Sequence, residues 1–230
     1  MNDGSTERAL VGSMGEMEYF LGSAFLDQLR RKHCPRSADE FIEELYFQID
    51  EVLKSIGDRI DHLRTDEVSL TLYVADRLCD RGYNATSEEY VSGHCDIKVI
   101  PKHGSYRWLC EGKIHSAYEK LVEGMKQLLT RYASGTSDLH SGFLFFIPNK
   151  DSVNVVRKWR KLIDSKNLLD LQDNAHEDGV EAPLSHFRFR STHRIVDGAI
   201  IHVRHMGVPF LHAPEDKSAV GSKKHGADGG

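Results

Sequence analysis

Apolar and polar residues at the start of the chain repeat at the three- to four-residue spacing of amphipathic helices. The spacing covers residues 16–32, and Pro35 ends this first predicted helix. A second helix is predicted from its capping residue Ser37 to Ile56, and Glu40 completes a capping box. The two segments predict an N-terminal helical hairpin. Their apolar residues are Met17, Phe20, Leu21, Ala24, Phe25, Leu29, Phe41, Leu45, Ile49, Val52 and Leu53.

A third helix is predicted between an N-cap at Thr65 or Asp66 and a C-terminal glycine, Gly82. Its inward-facing residues are Leu70, Val74, Ala75, Leu78 and Cys79. After Gly82 the apolar period changes from nearly four residues to two, which is typical of strands. Short turns separate three such segments, so they predict an antiparallel meander. The three strands are 83–91, 94–100 and 106–114, and Cys95, Ile97 and Val99 are expected to share one face of the second.

The C-terminal half mixes helical and extended patterns. Ser116 begins a predicted helix that runs through Tyr132, and the apolar run GFLFFIP at 142–148 predicts a strand covered on both faces. Asp151 caps a further predicted helix. Two alternating segments then predict a strand pair, 186–195 and 199–208, while 166–182 and the tail after Leu211 are polar and irregular. The fold class is therefore α/β, with a mixed central sheet flanked by helices.

Alternation in the 186–195 segment predicts which of its residues face outward. Phe187 and Phe189 are expected to point into the core, which leaves His186, Arg188 and Arg190 as an outward basic stripe. Such a stripe suits a track of nucleic-acid phosphates, although solvated surface charge is the more ordinary interpretation.

Composition narrows the class of protein. The formal net charge is -5 and the sequence pI is about 6.2, so any contact with nucleic acid depends on local basic patches, on metal ions or on a protein partner. Four cysteines lie far apart and the 13 histidines contain no HExxH pair, which argues against a zinc site. The sequence shows no signal peptide and no membrane-spanning apolar run, so we expect a cytoplasmic protein without a membrane partner.

The chemistry is concentrated in two neighbouring predicted strands, GHCDIKVI and YRWLCEGKIH. Glu111 and Lys113 are two residues apart and therefore point to the same side of their strand. A short turn brings Asp96 of the preceding strand close to them. Two carboxylates that converge in a half-buried cleft need a compensating cation, and their oxygen atoms suit Mg²⁺ or Mn²⁺.

The order of a helix, a meander, a helix and a buried strand, with an aspartate followed by ExK, resembles the PD-(D/E)XK nuclease superfamily, whose fold is restriction-endonuclease-like. The resemblance covers residues 65–148. It implies that Asp96 and Glu111 bind a divalent metal, with the backbone carbonyl of Gly112 as a further ligand. It also implies that Lys113 orients or activates the attacking water, and burial near a cation is expected to lower its pKa towards neutrality.

The same resemblance suggests two further site residues. Glu67 stands where many members carry a glutamate on the preceding helix, as a metal ligand and catalytic residue. Gln127 stands where the helix after ExK often supplies a polar residue. The proline of the motif is replaced by Cys95. Secondary candidates are His94 and His115, which flank the motif strands, and one of Glu88 and Glu89.

The expected function is a metal-dependent endonuclease that hydrolyses phosphodiester bonds in nucleic acid, with DNA favoured, within a microbial defence, restriction or repair system. A protein partner or a homodimer is an additional expectation. The alternatives are a catalytically inactive nuclease-fold module that binds nucleic acid or a protein, and a phosphoesterase that acts on a small nucleotide. The expected organisation is a helical region at 1–62, a nuclease-like domain at 63–212 and a disordered tail at 213–230.

Overall fold

The computed structural model describes residues 22–59, 65–90, 94–103, 106–131, 140–165, 186–194 and 200–210, together with residue 19. Within these ranges the chain forms five helices and six strands. The helices are α1 (Ser23–His33), α2 (Ala38–Arg59), α3 (Glu67–Asp80), α4 (Tyr118–Arg131) and α5 (Ser152–Asp164). The strands are β1 (Asn84–Tyr90), β2 (His94–Ile100), β3 (Trp108–Ile114), β4 (His140–Ile147), β5 (Arg188–Arg194) and β6 (Ile200–Pro209).

The six strands form one mixed sheet in the order β1-β2-β3-β4-β6-β5. β1, β2 and β3 pair antiparallel, which confirms the predicted meander. β4 lies parallel to both β3 and β6, and β5 pairs antiparallel with β6 as the alternating pattern predicts. The predicted fold class of a mixed central sheet flanked by helices is therefore confirmed. β3 lies where the antiparallel part of the sheet meets the parallel part.

Helices cover both faces of the sheet because its central strands are apolar on both sides. Leu144 and Phe146 of β4 belong to the core cluster that contains the apolar residues of α2 and α3. Phe143 and Phe145 of the same strand belong to the cluster that contains those of α4 and α5. This arrangement follows from the period of two along a strand. It confirms that the run GFLFFIP is a strand buried on both sides.

The N-terminal helices form the predicted hairpin. α1 packs on α2, and Arg30 of α1 donates to Glu40 of α2 with a nitrogen–oxygen distance of 2.8 Å. Glu40 also completes a capping box, but its carboxylate accepts from the N–H of Arg36 rather than from that of the capping residue Ser37. Its N–H donates to Ser37 Oγ at 3.2 Å, while its carboxylate accepts the N–H of Arg36 at 2.7 Å. The side chain at the third position of the helix therefore organises both its N-terminus and its contact with α1.

The predicted ends of the third helix are also confirmed. Asp66 is the N-cap of α3, and its side chain accepts the N–H of Ser69 at 2.9 Å. Gly82 follows the helix with a φ of 82°, a left-handed conformation that favours glycine.

Two local expectations are wrong, and a third is confirmed only in part. Cys79 is exposed rather than inward-facing, although its thiol lies 3.0 Å from the carbonyl oxygen of Ala85. Cys95 packs in the cluster of α4 and α5, whereas Ile97 and Val99 pack in the cluster of α2 and α3. Asp151 is the N-cap residue of α5 as predicted, but its side chain makes no capping hydrogen bond.

The prediction of an outward basic stripe on β5 is also wrong for Arg188 and Arg190. Arg188 Nε donates to Asp50 of α2 at 2.9 Å, and its side chain is 13% exposed. Arg190 lies over the ring of Tyr46, also in α2, with 5.8 Å between the guanidinium carbon and the ring centroid. Phe189 is buried as predicted. The arginines therefore point towards α2, because the N-terminal hairpin covers the face that alternation alone left open to solvent.

Among the described residues, the helices are all too short or too polar to cross a membrane. The predicted domain boundaries fall at residues 62 and 212, in segments outside the described ranges, and so do the irregular segment 166–182 and the tail. These boundaries stay predictions. α2 shares one apolar cluster with α3 and with β2, β3, β4 and β6, so the second helix of the hairpin is part of the main core.

Replacement of Asp50 by asparagine tests the link between α2 and the C-terminal strands. Asp50 accepts from both Arg188 and Arg204, the latter at 2.7 Å with a side chain 5% exposed. Because a buried guanidinium without its partner is strongly unfavourable, D50N is expected to lower the free energy of unfolding by about 3 kcal/mol. Chemical denaturation measures the change, with the exposed helical variant D76N as control. Equal losses in the two variants would contradict this role for Asp50.

Candidate active site

Glu111 and Lys113 lie on the face of β3 that is covered by α4. The strand buries Trp108 and Cys110 on its other face, so its alternation directs the two charged side chains to the α4 side. Lys113 Nζ lies 2.8 Å from Glu111 Oε1, and Glu111 is 3% exposed. A carboxylate this buried requires a cation, and in this structure the ammonium group of Lys113 provides it.

Asp96 reaches the same place from β2. The pairing of β2 with β3 runs from Val99–Trp108 to Ile97–Cys110. Beyond that last pair, Asp96 Oδ2 accepts the backbone N–H of Gly112 at 2.7 Å. The same oxygen lies 4.0 Å from Lys113 Nζ. The side chain of Asp96 thus bonds to the β3 backbone where the ladder of paired residues ends, which brings its carboxylate to the Glu111–Lys113 pair.

A third carboxylate comes from the first turn of α3. Glu67 Oε1 accepts from Lys113 Nζ at 3.0 Å, and Glu67 Oε2 accepts the backbone N–H of Ile114 at 3.1 Å. Its side chain is 38% exposed, so this group lies at the open edge of the cluster. Both oxygen atoms of Glu67 are therefore engaged with consecutive residues of β3.

Lys113 is the centre of this cluster of charges. Burial lowers the pKa of its ammonium group, but the carboxylates of Glu111, Asp96 and Glu67 outweigh burial and raise the pKa to about 12. Without a bound metal the pKa is therefore not lowered towards neutrality, because three acids surround the amine; the lowering expected beside a bound cation stays a prediction. Lys113 is a cation at neutral pH and acts as a hydrogen-bond donor.

Two glycines allow the helices to approach the site closely. A Cβ atom at Gly112 would overlap Thr71 Cγ2 of α3 and lie 3.7 Å from Asp96 Oδ2. A Cβ atom at Gly124 of α4 would lie 2.7 Å from Lys113 Cγ. Gly124 was not among the residues predicted from the sequence. The signal that points to it is an isolated glycine inside an amphipathic helix, which often marks close packing.

Gln127 and the secondary candidates differ in where the structure places them. Within the described part of the chain, Gln127 makes no hydrogen bond or ion pair with Glu67, Asp96, Glu111 or Lys113, and its side chain is only partly buried. His115 is buried, and its ring packs edge-on against Tyr118 at 4.9 Å between centroids. The side chains of His94, Glu88 and Glu89 lie outside the described residues.

The chemistry of these groups fits a hard divalent cation through a small number of ligands. Among the residues that the structure describes, no group of three or more histidine, cysteine, aspartate or glutamate side chains is arranged to hold a metal ion. Mg²⁺, however, commonly binds through only one or two carboxylates and keeps water in its other positions. Asp96 and Glu111, brought together by the contacts of β2 with β3, are the carboxylates that would hold it.

Comparison of the chain with protein-family models, with curated proteins and with solved structures found no match. The class that the structure itself establishes is an α/β protein with a mixed six-stranded sheet flanked by helices. Any functional assignment therefore depends on the geometry of the cluster around Lys113.

Replacement of Gly112 by alanine tests the close approach of α3 to β3. The added methyl group overlaps Thr71 Cγ2, so G112A is expected to lower the free energy of unfolding by about 1–3 kcal/mol. Thr71→Ser removes Cγ2 but keeps the hydroxyl that donates to the carbonyl of Glu67, at 2.9 Å in the parent. The double variant is expected to be more stable than G112A alone, as a double-mutant cycle with thermal or denaturant unfolding would measure. Strictly additive changes in the free energy of unfolding would mean that the side chains at positions 71 and 112 do not interact.

Proposed function

We propose that the protein is a metal-dependent nuclease of the PD-(D/E)XK type, which hydrolyses phosphodiester bonds in nucleic acid, with DNA as the favoured substrate. The observation that carries the proposal is the convergence of Asp96, Glu111 and Lys113 from two adjacent strands. Carboxylates beside a fixed ammonium group are the parts that hydrolysis of a phosphodiester requires: a place for a divalent ion and a donor for oxygen atoms.

The order of elements supports the same assignment. Helix α3 precedes the β1–β2–β3 meander, and α4 then connects β3 to the buried parallel strand β4. This succession agrees with a restriction-endonuclease-like fold, which forms part of the proposal.

Each residue of the cluster has a distinct role in this scheme. Asp96 and Glu111, with the carbonyl of Gly112, would hold Mg²⁺ or Mn²⁺, which when bound supplies positive charge that polarises the phosphate and stabilises its transition state. Lys113, as a charged donor, orients the attacking water or binds a phosphate oxygen. Glu67 accepts from Lys113 and from the β3 backbone, so its contacts suit a positioning residue better than a metal ligand.

The substitutions D96N and K113M are expected to reduce cleavage by at least about a hundredfold, because D96N removes a proposed metal ligand and K113M removes a donor to developing negative charge. Purified protein is incubated with supercoiled plasmid, linear duplex DNA, single-stranded DNA and RNA, with Mg²⁺, Mn²⁺ or EDTA. The exposed variants E119Q and K158M serve as controls of equal charge change. Full activity of D96N and K113M would contradict the assigned roles, and absence of cleavage by the parent protein on every substrate would favour a binding module over an enzyme.

Metal binding distinguishes ligands from positioning residues. Titration with Mn²⁺, followed by calorimetry or electron paramagnetic resonance, is expected to show at least tenfold weaker binding in D96N and E111Q. E67Q is expected to keep the Mn²⁺ affinity of the parent and to lose cleavage through a misplaced Lys113. A loss of Mn²⁺ affinity in E67Q as large as that in D96N would assign Glu67 to the metal instead.

The setting of the activity is part of the same proposal. With a net charge of -5, the protein lacks the basic surplus of free-standing DNA-binding proteins. A cytoplasmic nuclease that acts with a protein partner or as a homodimer, in defence, restriction or repair, agrees with that negative net charge.

A further inference from the structure

A polar cavity lies on the opposite face of the sheet from Glu111 and Lys113. Its volume is about 210 Å³, and it is lined by the first turns of α2, the N-terminal parts of β4 and β6, and Arg190 of β5. Tyr46 of α2 lines one side, and Arg190 and Arg204 line another. In β4, the residues that pair with Glu111 and Lys113 are Phe143 and Phe145, further along the strand than the cavity residue His140. The cavity is therefore separate from the candidate active site.

The sheet side of this cavity carries an unusual concentration of nitrogen donors. Arg190 of β5 and Arg204 of β6 are directly paired across the two strands. In the adjacent row, His140 of β4 is paired with His202 of β6, and their rings stack at 5.3 Å between centroids. Like charges placed directly opposite each other in a sheet are destabilising, so the Arg190–Arg204 pair requires a compensating anion.

The protein supplies only part of that compensation. Asp50 is the acid partner of Arg204, but it also pairs with Arg188, so one carboxylate serves two guanidinium groups. Among the described residues, Arg190 has no acid partner, and its guanidinium group lies over the face of the Tyr46 ring. The Nε atoms of both Arg190 and Arg204 are buried without a hydrogen-bond partner in the described chain. Arg204 itself is 4% exposed, and its terminal nitrogens donate to Asp50 Oδ2 at 2.7 Å and to the backbone carbonyl of Tyr46 at 3.1 Å, so its positive charge is held in place beside the cavity.

The acidic residues at the mouth do not neutralise this wall. Asp39 and Glu43 line the cavity but are exposed, and the side chain of Asp39 is 80% exposed where it contacts His140 Nε2 at 3.1 Å. Water screens charges at such positions. The two histidines and Asp39 also do not form a metal site, because the described residues contain no such group. A cationic interior behind a solvated rim favours an anionic ligand.

We infer that the cavity between α2 and strands β4, β5 and β6 is a binding site for a small molecule that carries an oxyanion group, a phosphate or a carboxylate, held by Arg190 beside the positive charge of Arg204. The planar guanidinium group presents N–H donors in a geometry that matches the oxygen atoms of such groups. The volume is smaller than the roughly 300–1,000 Å³ typical of pockets for drug-sized ligands, so the ligand is a small one. This inference is independent of nuclease activity.

Binding is tested by calorimetric titration of the full chain with inorganic phosphate, acetate and adenosine 5′-monophosphate at constant ionic strength set with NaCl. Arg190→Gln is the test variant, since Arg190 is half-buried and has no acid partner to leave unpaired. Arg157→Gln, an exposed arginine of α5, is the matched control for charge. We expect saturable binding of at least one of the three probes. R190Q should bind that probe at least tenfold more weakly, and R157Q should bind it as the parent does.

Thermal unfolding provides a second measurement that separates binding from a structural role. Without added anion, R190Q is expected to be as stable as the parent or more so, because it removes a like-charge pair. The bound probe should then raise the melting temperature of the parent and of R157Q but not that of R190Q. Absence of saturable binding for every probe would overturn the inference, and so would a probe that binds R190Q as tightly as the parent. Preference among phosphate, acetate and the nucleotide identifies the oxyanion and its carrier.

Discussion

The ammonium group of Lys113 is the cation on which the geometry of the candidate site depends. Glu111 comes from the same strand, Asp96 from its neighbour and Glu67 from the helix on the other face of the sheet. Three carboxylates would repel one another in a half-buried place without a central positive charge. Since each acid belongs to a different element, the attraction that keeps the site together also fixes α3 and β2 relative to β3.

Much of this arrangement follows from local rules. Capping chemistry located the start of α3 at Thr65 or Asp66, of which Asp66 is the N-cap, and the requirement for a left-handed residue located its end at Gly82. Alternation placed Glu111 and Lys113 on one side of a strand, and the short turn of the meander brought Asp96 next to them. The site could be predicted to this extent because the pairing of strands joined by a short turn, and the alternation of side chains along a strand, depend on few long-range contacts.

The remaining features depend on packing between distant segments. Arg190 was expected to face solvent because the sequence of β5 does not indicate that α2 covers it. Gln127 was assigned to the site by analogy, whereas the contact of α4 with Lys113 is made at Gly124, whose partner the sequence does not indicate. The raised pKa of Lys113 likewise results from Glu67, Asp96 and Glu111 acting together. None of these effects has a period or a motif of its own.

The ion pairs of Asp50 with β5 and β6 affect the order in which parts of the chain can fold during synthesis. Asp50 lies 138 residues before Arg188 and 154 residues before Arg204. During synthesis α2 therefore emerges from the ribosome long before either guanidinium partner exists. Contacts of such wide sequence separation close late and slow the search for the native topology. The contact of α2 with β5 and β6 therefore forms after its contacts with α3 and the earlier strands, and the part of α2 that those two strands cover needs protection from aggregation in the interval.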